Sequence, residues 1–153
     1  MDYKLRLSAL VDKYYGQIIM KYQGTTTAAM QKGRKMGLFK KVDFSEEIND
    51  FQKHIDDAEK IDTSTIDIPE TDIKTMVLED CLNNSIASFC VLCEKCKTFY
   101  DISDRKQYKG SGVNVSIYKE AFVAMQEAAK VAAEDVNVLD KAYEEFNAEN
   151  SEE

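Results

Sequence analysis

The chain is expected to be all-α, an antiparallel up-down four-helix bundle, and three observations predict it. Apolar residues recur at helical spacing in four segments. Helix breakers are scarce, with one Pro and six Gly in 153 residues, which favours long helices. The last segment carries a seven-residue seam of Tyr118, Met125, Ala132, Leu139 and Phe146, with Ala121, Ala128 and Ala142 midway. Small residues between regularly spaced large ones are what closely approaching bundle helices need. A hydrophobic content of 44% over this length fits one domain across residues 1–153 with an adequate core.

The first helix is expected from about residue 3 to 33, burying Leu7, Leu10, Val11, Tyr14, Ile18 and Tyr22. Gly24 followed by Thr25, Thr26 and Thr27 is a run of weak helix formers where it can kink. The second, about 44–61, has Asp43 as a cap and Glu46 three residues on, a capping-box-like pair. Its stripe is Phe44, Ile48, Phe51, Ile55 and Ala58. It is the shortest, so the bundle can be irregular or open at one end. Polar Asp62–Thr65 ends it, and Pro69 fits the first turn of a third helix over about 70–104. That helix should bury Leu78, Leu82, Ile86, Phe89, Cys93, Cys96 and Tyr100. The fourth, about 114–148, starts at Asn114, a good N-cap, and its acidic tail should fray. Leu5, Ile19, Met20, Ile73, Val77 and Val91 fall off these stripes, which favours a broader core over a homodimer face.

The formal net charge is −8, yet the cations are segregated. Lys32, Arg34, Lys35, Lys40 and Lys41 lie in one stretch without an acidic residue, and Arg105, Lys106 and Lys109 in another. These eight of 20 cations leave 12 against 28 acidic residues elsewhere. In an up-down bundle both stretches, with Phe39 and Tyr108 interleaved, fall at one end, opposite an acidic end. Such a pole can bind an acidic partner or a small anion. Cations and glycines are also what two helix C-termini ask for.

Cys90, Cys93 and Cys96 suggest a soft-metal thiolate site, but Cys90 and Cys96 stand about 9 Å apart along a regular helix, too far for one zinc. Packing as small buried hydrophobes is the expected role. The single histidine, His54, is expected at the surface or boundary of the second helix. Glu-x-x-His, Gly-x-x-x-x-Gly-Lys-Ser/Thr, Gly-x-Gly-x-x-Gly and Gly-x-Ser-x-Gly are all missing from the chain, so neither a catalytic site nor a cofactor is expected. No apolar secretion signal and no uninterrupted run of roughly 20 apolar residues occurs, so a cytoplasmic chain without membrane contact is expected.

The leading functional expectation is a noncatalytic interaction or accessory protein. It would bind a protein partner through Lys32, Arg34, Lys35, Phe39, Lys40, Lys41, Arg105, Lys106, Tyr108 and Lys109, or through acidic helical faces. Nucleic acid would be bound only locally, since overall charge opposes it. The alternatives are an anion or nucleotide sensor using the glycine-bearing loops, thiolate metal binding on the third helix, and, by analogy with phage and mobile-element inhibitors, acidic charge mimicry.

Overall fold

The computed structural model describes residues 2–37 and 41–151. Its elements are α1 (Asp2–Lys13), a π-helical segment (Tyr14–Ile19), α2 (Met20–Lys35), α3 (Ser45–Glu59), α4 (Ile73–Lys106) and α5 (Val115–Ser151). Lys13 and Met20 both keep right-handed helical dihedrals, so α1, the π segment and α2 form one rod. Four rods and no strand among the described residues make the protein an all-α helical bundle.

Contacts give the rods their directions. Lys4 meets Asn150, Ser8 meets Tyr143 and Tyr15 meets Asp140, so the first rod runs against α5. Thr25 meets His54 and Lys32 meets Glu47, so α3 runs against α2. Tyr3 meets Asp72 and Tyr14 meets Ser85, so the first rod and α4 run together.

α4 is the common packing partner, most extensively with α5 and then with α3. Its expected stripe, Leu78, Leu82, Ile86, Phe89, Cys93, Cys96 and Tyr100, is buried throughout. By length and composition α4 is also apolar enough to cross a membrane; in this bundle its stripe packs against the other rods. Leu7, Val11, Tyr14 and Ile18 of the first rod and Phe51, Ile55 and Ala58 of α3 close on it.

Several local expectations are corrected. The first rod does not break at Gly24 and Thr25–Thr27: α2 runs straight through them. The Thr25 and Thr27 hydroxyls donate back to the Lys21 and Gln23 carbonyls, and Thr25 and Ala29 are buried, so packing overrides weak propensity. The irregularity lies earlier, where the Met20 N–H reaches back five residues to the Tyr15 carbonyl. This widened turn coincides with two adjacent tyrosines reaching different helices: Tyr14 bonds Ser85 of α4 and Tyr15 donates to Asp140 of α5.

Asp43 caps from one residue further out than expected, accepting from the Ser45 N–H and hydroxyl. Phe44 holds the N-cap position without a side-chain bond, so no capping box forms. Pro69 stands ahead of α4 in a turn closed by the Asp72 N–H, and Asp72 is the cap, accepting from the Thr75 N–H and hydroxyl. Tyr3 donates to the same carboxylate. Burial pulls the Asp72 carboxyl upward, but these bonds outweigh it and hold it below its usual value. Asn114 caps α5 as expected, accepting from the Ile117 N–H at 2.9 Å. The broader core does not materialise: Leu5, Met20, Ile73, Val77 and Val91 are exposed and Ile19 is half-buried.

His54 is not a surface residue. It is 5% exposed, and its Nε2 lies 2.8 Å from the Thr25 hydroxyl. Burial pushes the imidazole below its ordinary value, against the pull of Asp50 and Asp57. A folded-state value below the unfolded one means that the unfolded chain takes up the proton first. Stability is therefore full above about pH 6.5 and declines as pH falls from there toward the folded-state value. The melting temperature should drop between pH 7.5 and pH 5.5, and His54→Gln should flatten that slope; an unchanged slope in the variant would assign it to other groups.

Candidate functional site

The two basic stretches meet at one end of the bundle. Gln107, just past α4, clasps the backbone of Val42 with both amide atoms: its Oε1 accepts from the Val42 N–H and its Nε2 donates to the Val42 carbonyl, each at 2.8 Å. Lys41 lies over the Tyr108 ring, 4.1 Å from its centroid, so cation and aromatic from the two stretches are in contact. Gly37, Gly110 and Gly112 take φ near +80°, a conformation that side chains rarely adopt, and these turns let both connections fold back on the helix ends.

Much of the expected cationic surface is already engaged inside the protein. Lys32 donates to the Glu47 carboxylate at 2.8 Å and to the Asp43 carbonyl at 3.0 Å. Glu47 is almost fully buried, and its hydrogen bond holds the Lys32 ammonium above its usual value. Lys106 lies over the Tyr118 ring, and Arg105 pairs with Asp101 one helical turn back. Arg34, Lys35 and Lys109 are exposed and make no ion pair with another described residue. Phe39 and Lys40 lie outside the described residues.

Beneath this end the bundle is open. α2 makes no extensive contact with the first half of α5, so Tyr118 and Met125 of the expected seam are only half-buried and Phe122 is exposed. Further along, Ala132, Leu139 and Phe146 are buried as expected, and Ser8 and Tyr15 of the first rod reach Tyr143 and Asp140 there. The gap is an apolar chamber of 420 Å³ walled by α2, α4 and α5.

The cysteines pack rather than converge. Cys93 and Cys96 are buried, and Cys81 and Cys90 are half-buried. Burial pushes all four thiols up, Cys90 to about 11 and Cys96 to about 12, which keeps them protonated at neutral pH and poor as thiolate ligands. Among the described residues no three or more Cys, His, Asp or Glu side chains are grouped to hold a metal.

The outer face of α4 and α5 carries a second apolar seam, of which the sequence pattern singles out only Val91. Ile117, Ala124, Val131 and Val138 recur every seven residues on α5, and the three large ones are 39–54% exposed. Ala124 and Val131 share a shallow groove with Ala87 and Val91 of α4. Glu120, Glu127 and Glu134 follow the seam three residues on, all exposed. The repeat was legible in sequence, but it sits one residue from the stronger core seam.

No family model, no curated protein and no solved structure matches the chain.

Lys32→Met leaves the nearly buried Glu47 carboxylate without its ammonium, and should lower stability by about 1–3 kcal/mol, read as a shift in urea midpoint. Glu47→Gln in the same background should recover part of the loss.

Proposed function

We propose that this chain is a noncatalytic interaction protein that takes a basic amphipathic helix of a protein partner on the outer face of α4 and α5. The observation that carries this reading is the seven-residue seam Ile117, Ala124, Val131 and Val138, with Ala124 half-buried and the other three exposed, and its glutamate flank. A seven-residue apolar repeat is the register of a helix meeting another helix. The flank supplies the charge: Glu120, Glu127 and Glu134, ahead of Lys141 in the same register and against Lys95 in the groove, favour lysines or arginines beside the partner's apolar stripe and disfavour a second copy of this face. The basic end is the weaker candidate for such a partner, because Lys32, Lys41, Arg105 and Lys106 already have partners within the chain.

Photo-crosslinking tests this with benzoylphenylalanine placed at Val131 or Val138, and at exposed Gln23 on α2 as control. Crosslinks from the two valine positions should reach a lysine- or arginine-rich helical segment of one protein, weaken with added salt, and be missing from position 23. Equal capture from position 23, or crosslinks only to a second copy of this chain, would overturn the reading.

A further inference from the structure

The chamber beneath the basic end is separate from the outer face, and its chemistry is selective. Its volume of 420 Å³ lies within the roughly 300–1,000 Å³ typical of small-molecule sites. Aromatic rings dominate one wall: Phe99 stands 5.3 Å from Tyr118 and 5.5 Å from Phe122, centroid to centroid, with planes inclined near 50°. Inclined rings at this spacing present edges and faces, save the Tyr118 face that Lys106 covers, to which another ring can add by stacking or edge contact. Met125 beside them offers a polarizable thioether that also favours ring contact.

Charge narrows the choice further. Arg34 is the one charged side chain among the described residues lining the chamber, in a chain with 28 carboxylates. It makes no ion pair with a described residue. Thr26 and Tyr22, both in the wall, set a buried hydroxyl and a phenol beside one another as the chamber's polar points. An apolar body with few polar anchors is the usual make-up of a small-molecule site, and a guanidinium at its margin selects an anion.

We propose that this chamber binds a small molecule with a flat aromatic body and one anionic substituent, the rings lying against Phe99, Tyr118 and Phe122 and the anion meeting Arg34. The probe is anilinonaphthalene sulfonate, which has this make-up, compared with uncharged N-phenyl-1-naphthylamine. Fluorescence titration should show both binding once per chain. Arg34→Gln should weaken the sulfonate about tenfold, the equivalent of one charge-assisted contact, and leave the uncharged compound within about twofold. Ala129→Trp fills the chamber from α5 and should abolish binding of both. If that variant loses its cooperative melt, Phe122→Ala, at a position already 39% exposed, should weaken both instead. Failure of both compounds to bind the native chain would overturn the proposal. So would sulfonate binding indifferent to Arg34→Gln, or binding of either compound indifferent to the wall substitution.

Discussion

The bundle depends on burying one apolar column, the stripe of α4 from Leu78 to Tyr100. Each other rod brings its own stripe to it, and burial of large side chains there supplies the main driving force. Aromatic geometry records the convergence: Tyr14 and Tyr22 of the first rod both set their rings edge-on to Phe89, and Phe51 of α3 stacks on Tyr100. Polar contacts then select the alignment along this column. Asp72 bonds Tyr3 at one end, and Gln107 clasps Val42 at the other.

That arrangement explains why the two halves of α5 differ. Where α1 and the π segment lie alongside, Leu139 and Phe146 are buried, and the Tyr143 hydroxyl bonds both Ser8 and Asp12. Past the π segment the first rod continues as α2, which packs on α3. α4 is the main neighbour of α5, no hydrogen bond among the described residues joins α2 to the first half of α5, and the chamber lies between them. The outer α4–α5 face has the same origin: a two-helix layer at the margin of the bundle keeps one side uncovered, here with Val91 and Val131 on it.

Much of this was legible beforehand. The stripes of α3 and α4 follow the expected residues nearly one for one, since a 3.6-residue period is a local property of the chain. The meeting of the two basic stretches followed from helix count and direction. The state of their cations did not: Lys32 is held by Glu47, fifteen residues on, and Lys41 by Tyr108, sixty-seven residues on, pairings with no periodic signature. The surface or boundary placement expected for His54 missed its burial for the same reason. Its flank position on α3 is a helical-wheel fact, but Thr25 on a different rod is what buries it. Gly24 and three threonines left a kink open on local propensity of about 1 kcal/mol or less per residue, which burial of Thr25 and Ala29 outweighs.

An all-α chain, four amphipathic rods, the core stripes and the segregation of charge follow from local pattern, because each depends on residues within a few turns of one another. Which residues of α5 the first rod reaches, which described cations lack an ion pair, and where an apolar surface is left uncovered emerge from packing alone. Those outcomes depend on where rods distant in sequence lie side by side, and the spacing of residues along one helix carries no record of that.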